Sequence, residues 1–191
     1  MRECLNLGKV AGLDLSGSEK KPSGWCLIDG RRVTTKLLYS DDEILNEVTN
    51  ARPVIIAIDA PLTMPKEGGF RHVDKELMKL KGKPLPPLMP GMRSLTMRAI
   101  GLVTRINELS LNIKILETHP QTAASRLNVS RSSKQVLEAL KAYGLKPFER
   151  NVSKHEVDAM LAALTAWLYL IGKVEEVKAD NGIIVLPKKE D

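Results

Sequence analysis

Two short apolar runs in this chain each end in an aspartate. VAGLDLS carries Asp14, and VIIAIDAP carries Asp59. An unpaired carboxylate buried in such a run either costs several kcal/mol or takes up a proton. The anomaly recurs at Glu117, which ends IKILETHP, and at Asp158, inside HEVDAMLAALTAWLYL. Acids at the edges of four apolar elements point to one shared site. The usual way to make such a group tolerable is a divalent cation held by oxygen ligands.

The rest of the composition narrows the class. A chain of 191 residues is expected to form one domain with a full core. Its formal net charge of +6 favours a polyanionic partner such as nucleic acid, although net charge speaks to non-specific association and not to fold. Cys4 and Cys26 form no CxxC and have no histidine at zinc spacing. With a turn over residues 17–22, Cys26 faces roughly Leu13, well away from Cys4, so two reduced, mostly buried thiols are expected and no disulfide. The N-terminus carries no hydrophobic signal core, and the apolar stretch around 160–171 is too short and too interrupted to span a bilayer. A soluble, cytoplasmic protein with no membrane partner is the expectation.

Along the chain, residues 8–16 read as a buried strand, GSEKKPSG as a turn, and 24–29 and 32–39 as two strands joined at Asp29-Gly30. Ser40 or Asp41 can cap a helix through Val48, and 53–58 is a continuous run suited to a strand covered on both faces. Residues 64–93 change character. A charged stretch, RHVDKELMKLKGK, can be helical, and PLPPLMPGM cannot; together they read as an exposed insertion that builds no core. Further helices are expected over 94–110, 132–143 and 153–172, a fifth strand at IKILE, and a short helix or turn over 119–128. The extension at 173–191 can hold a terminal hairpin around Asn181-Gly182.

Three hairpin-linked strands, a helix, a strand, helices, a strand and closing helices describe an α/β chain whose order matches the ribonuclease H-like fold. The motifs GLDLSGS with a following GW, IDAPL, RHVD, ETHPQ and SKHEVDAMLAALTAW resemble the predicted RNase H-like nucleases of archaea and bacteria. The last helix is also similar to that of Holliday-junction resolvases of the RuvC type. The resemblance runs to about Gly172. It implies a single RNase H-like domain over 1–191, with a mixed five-stranded sheet (three antiparallel strands, then two parallel) flanked by helices. It also implies a metal-dependent nuclease, a hydrolase of phosphodiester bonds.

In that fold the first and fourth strands are neighbours, roughly 4.8 Å apart, so Asp14 and Asp59 stand side by side and repel unless a cation intervenes. Asp14, Asp59, Glu117 and Asp158 are then the expected catalytic and metal-holding acids, with Mg²⁺ or Mn²⁺ as the ion. On the last helix, Val157, Met160, Leu161, Leu164, Leu168 and Ile171 form the core stripe. Asp158 lies on one flank with His155 nearby, and Glu156 on the opposite flank, expected in solvent. His155 is a plausible neighbour of the metal or merely a surface histidine at a helix start. His119 is a further candidate. Arg71 and Asp74 are either a simple intrahelical ion pair or, as the resemblance implies, part of the rim where a phosphate binds. Lys79, Lys81 and Lys83 are expected to face phosphates from the insertion. Two other readings compete. One is a nucleic-acid or protein binding module that keeps the fold without turnover. The other is an ATP-binding protein of the actin and sugar-kinase type, which fits DLSGS loosely but needs two duplicated domains.

Overall fold

The computed structural model describes residues 8–148 and 150–189. The chain opens with a meander, β1 (Val10–Asp14), β2 (Ser23–Asp29) and β3 (Arg32–Leu38), followed by α1 (Asp41–Ala51) and β4 (Ile55–Asp59). It continues through α2 (His72–Lys79), α3 (Pro90–Glu108), β5 (Lys114–Thr118), α4 (Pro120–Arg126), α5 (Ser133–Ala142) and α6 (Lys154–Leu170), and closes with β6 (Val174–Ala179) and β7 (Gly182–Pro187). One sheet holds all seven strands in the order β3-β2-β1-β4-β5-β7-β6. The expected five-stranded frame lies inside it, with β1 antiparallel to β2 and parallel to β4. The terminal hairpin extends the frame, because β7 pairs in parallel with β5.

Local signals account for most boundaries. Ser40 caps α1 in a reciprocal box with Glu43, and Ser153 does the same for α6 with Glu156. Gly30, at φ 57°, takes the left-handed turn position between β2 and β3. The period of two along each strand then sorts side chains into two layers. Val10, Cys26, Ile55, Ala57 and Leu116 pack against the α6 side. Ala11, Leu13, Trp25, Ile56 and Ile58 pack against Ile44 and Val48 of α1 and Ala99, Leu102 and Ile106 of α3.

Helix α6 lies unusually close to the sheet. A Cβ on Gly12 would sit 2.2 Å from the Ala159 carbonyl oxygen and the Ala163 nitrogen, and one on Gly24 would sit 2.0 Å from the His155 oxygen. Only glycine admits that approach of helix backbone to strand backbone.

The structure corrects three expectations. Cys26 pairs with Gly12, and Trp25 takes the place opposite Leu13, because the strands pair one residue out of the expected register, over a connection at 15–22 that is longer than the turn expected over 17–22. Cys26 is buried, and burial pushes its thiol well up, the mark of an inert side chain; Cys4 lies outside the described residues. Glu156 is buried, not solvated. It accepts from the Ser153 amide and from Thr35 and Arg150, whose bonds outweigh the upward push of burial and hold its carboxyl below the usual value. The segment 64–93 does build core, since Val73 and Leu77 pack on Val177, Ile184 and Leu186 of the terminal hairpin. Among the described residues, no helix is long and apolar enough to cross a membrane.

Candidate functional site

Asp14 and Asp59 end β1 and β4 and are direct partners in the parallel register. Strand parity aims both at α6, since Gly12 and Ala57, two residues earlier, face the same way. The chain turns outward in opposite directions from these two strands, and ligand sites in α/β sheets form at such switch points, beyond the strands' carboxyl ends. His155 of α6 places Nδ1 2.7 Å from Asp14 Oδ2. Asp59 has no hydrogen-bond or ion-pair partner among the described residues. Burial raises the Asp14 carboxyl to about 6 against the hydrogen bond from His155, and the charge of Asp158 adds to the rise. Burial and the charges of Asp14 and Asp158 push Asp59 well above the ordinary carboxylate value.

Asp158 lies one turn beyond His155 on α6 and is 3% exposed. Arg131, just before α5, grips it with a fork: Nε donates to Oδ1 at 2.7 Å and Nη2 to Oδ2. Arg131 also stands within the electrostatic reach of Asp59 and Asp14. Sequence reasoning missed this arginine. It sits in a loop, 27 residues from its partner, with no local pattern to mark it.

Glu117 is placed differently. It pairs in register with Ile58, one residue short of Asp59, so parity turns it to the sheet face opposite Asp14 and Asp59. There it meets Arg71, which is 1% exposed and begins α2. Arg71 Nη1 donates to Glu117 Oε2 at 2.8 Å and to Thr63 Oγ1 at 3.2 Å; Nη2 donates to Glu117 Oε1 at 2.5 Å and to Asp74 Oδ1 at 2.7 Å; Nε donates to Asp74. The Leu62 amide completes Glu117 at 2.9 Å. Burial raises the Glu117 carboxyl against the pull of Arg71 and the Leu62 amide, and the same contacts hold Arg71 firmly charged. Each N–H of the guanidinium is engaged. Arg71 and Asp74 therefore form more than an intrahelical pair, and Arg71 has no donor left for the phosphate expected of it. Thr63 donates in turn to the Asn181 carbonyl at 2.6 Å, which ties this group to the terminal hairpin.

His119 caps α4, its Nδ1 accepting from the Thr122 amide at 3.3 Å. Burial, reinforced by the charge of Arg131, pushes it down to about 4, so it is neutral at ordinary pH.

Asp14, Asp59, Glu117 and His119 line one cavity of about 220 Å³, with Lys83, Pro84, Leu85 and Met92 from the segment 64–93 along one wall. Asp158 is not part of the lining. It stands behind Asp14 and Asp59, close enough for its charge to raise both. Among the described residues no three of His, Cys, Asp and Glu are already arranged around a metal position. The donor chemistry nevertheless fits a hard divalent ion: two adjacent carboxylates that repel each other, one of them unpartnered, with a third held aside by an arginine fork.

Comparison with solved structures agrees with this architecture. T. thermophilus RuvC in complex with a Holliday junction substrate superposes with a TM-score of 0.55 at 16% identity, covering 86% of this chain and 96% of that one. A second Thermus thermophilus RuvC structure gives 0.52 at the same identity and coverage. The likeness is one of fold, and the fold is ribonuclease H-like. No curated protein matches the chain. Residues 12–181, which span the whole site from β1 through α6, match the family described as protein of unknown function (DUF429), and the chain belongs to that family.

Proposed function

We propose that the protein is a metal-dependent nuclease that hydrolyses phosphodiester bonds of nucleic acid with Mg²⁺ or Mn²⁺. The carrying observation is the register pair Asp14–Asp59: two carboxylates on adjacent strands, both driven above their ordinary values, one without a partner among the described residues. Such an arrangement destabilises a protein that does not use it, and a divalent cation relieves it. Asp14, Asp59 and, once Arg131 lets go, Asp158 would hold the ion. His155 positions Asp14. When bound, the metal supplies Lewis-acid activation of a phosphodiester and of water. Glu117, although at the same edge, is left out of the ligand set because its oxygens are already satisfied from the other face. The RuvC fold, seen in that protein with a Holliday junction, supports a nucleic-acid substrate, and a cytoplasmic setting is part of the same reading.

Neither competing reading explains the pair as well. A binding module without turnover has no use for an unpartnered, charge-crowded Asp59. An ATP site of the actin type needs room for a nucleotide, and about 220 Å³ falls below the roughly 300–1,000 Å³ of typical small-molecule pockets. The Ser16 hydroxyl is moreover occupied with the Ser18 and Lys21 carbonyls, at 2.8 and 2.9 Å.

The test is a panel of duplex, single-stranded and branched DNA and RNA, with and without Mn²⁺, for the wild type, Asp14→Asn and Asp59→Asn. Metal-dependent cleavage that both variants lose is the expected result. Mn²⁺ should also raise the melting temperature by mass action on the folded state. A metal-induced rise that survives the double change Asp14→Asn with Asp158→Asn would place the ion elsewhere and sink the assignment.

A further inference from the structure

Beside the acidic cavity runs a second, larger groove of about 550 Å³. Five cationic side chains line it: Lys79 at the end of α2, Lys81 and Lys83 just after it, Arg126 at the end of α4, and Lys189 beyond β7. Among the described residues no carboxylate lines it. Lys79 and Arg126 are neutralised by Glu76 and Glu175, whereas Lys81, Lys83 and Lys189 have no acid partner among the described residues. Two stretches far apart in sequence thus bring unneutralised positive charge into one concavity, where ordinary surface lysines spread apart into solvent.

The loop bearing two of these lysines is held in place. Lys81 takes a left-handed conformation, at φ 64°, and its amide donates to the Met78 carbonyl. The Gly82 amide donates to the Leu77 carbonyl, and a Cβ on Gly82 would lie 2.5 Å from the buried Leu77 side chain. The groove adjoins the acidic cavity, since Lys83 and Gln121 line both. Its lining contains no aromatic ring, so it offers nothing for an unstacked base to lie on. Its cations, joined by the donors of Gln121, Thr122, Ser125 and Asn128, suit phosphate oxygens.

We propose that this groove carries the phosphate backbone of the nucleic-acid duplex flanking the phosphodiester presented to Asp14 and Asp59, and that it does so without regard to sequence. The inference rests on the nuclease reading for its direction toward the acids, and on the groove's own charge and shape for the ligand.

The experiment measures binding of two short labelled DNA duplexes of unrelated sequence, in metal-free buffer, across a series of KCl concentrations. It compares the wild type, a triple variant Lys81→Ala, Lys83→Ala, Lys189→Ala, and a control, Lys9→Ala, Arg32→Ala, Lys36→Ala, that removes the same charge near the other end of the sheet. The groove variant should lose roughly tenfold or more in affinity at physiological salt. Its log–log salt slope should become shallower by up to about 2.7, equally for both duplexes. Its Mn²⁺-induced rise in melting temperature should remain, and the control should bind like the wild type. Unchanged affinity and slope in the groove variant would overturn the proposal, as would an equal loss in the control. A wild type that binds no duplex, yet is stabilised by Mn²⁺ through Asp14 and Asp59, would remove the groove and leave the carboxylate site standing. Lysine-dependent duplex binding with no metal effect would do the reverse.

Discussion

Two groups of buried acids stand at the same edge of one sheet, and the protein treats them in opposite ways. Around Glu117, every polar atom is satisfied: a guanidinium bridges Glu117 and Asp74, and an amide and a hydroxyl complete the set. Around Asp14 and Asp59, Asp14 has one imidazole and Asp59 has no partner among the described residues. One residue of register separates the two fates. Asp59 pairs with Asp14 and faces α6, while Glu117 pairs with Ile58 and faces Arg71. A satisfied acid cluster fastens parts of a fold together. An unsatisfied one is retained at a cost to stability, which is the physical signature of a working site.

The comparison can be broken first at Arg71. Arg71→Ala should cost about 3–5 kcal/mol by urea denaturation, since it leaves Glu117 and Asp74 buried without a counter-charge. A loss near zero would mean that the Glu117 group holds nothing together. The next effect is one of pH. The Asp14 carboxyl titrates near 6 in the folded protein against 3.8 ordinarily, so the folded state binds its proton more tightly than the unfolded chain does. Metal-free protein should therefore be stabilised by acid through this group and lose at most about 3 kcal/mol as pH rises from about 4 to about 6. Saturating Mn²⁺, which prefers the ionised form, should flatten or reverse that slope. A metal-free stability that rises over this window would show that Asp14 is not strained.

Arg131→Ala is expected to be milder, about 1–3 kcal/mol, because Arg131 is partly exposed while Asp158 is buried. The same change should enlarge the stabilisation by Mn²⁺, as it frees Asp158 for the ion. An unchanged Mn²⁺ effect would assign Asp158 to the structural group and not to the working one. The smallest change is a gain: Asp59→Asn should raise metal-free stability by roughly 0.5–2 kcal/mol and abolish the response to Mn²⁺. A clear loss of stability would mean that the Asp59 carboxylate has a partner after all.

Several parts of this architecture are legible in the residues. The strand ends at Asp14 and Asp59, the cap at Ser40, the turn at Gly30 and the core stripe of α6 all rest on short-range rules of period and capping, and the structure places them within a few residues of expectation. The four acids stand out for the same reason, since a charge inside an apolar run is a local contradiction. Glu156 does not follow from its helical angle, because that angle records only the side of α6 it occupies. Thr35 and Arg150, which cover it, come from elsewhere.

By itself the sequence determined the elements, their order, and that buried carboxylates gather at the ends of strands. Only the tertiary structure decided what each carboxylate meets. Strand period tells which residues of a strand share a face. The offset between β4 and β5 alone turns Glu117 away from Asp59. Arg71 meets Glu117 across 46 positions and Arg131 meets Asp158 across 27. The terminal hairpin, weak as a sequence signal, became part of the sheet because Val177, Ile184 and Leu186 find Val73 and Leu77 to pack against. These pairings follow from burial and electrostatics once the chain is closed, when a charge removed from water must find a counter-charge, whatever its distance along the sequence, or remain available for a ligand to supply one.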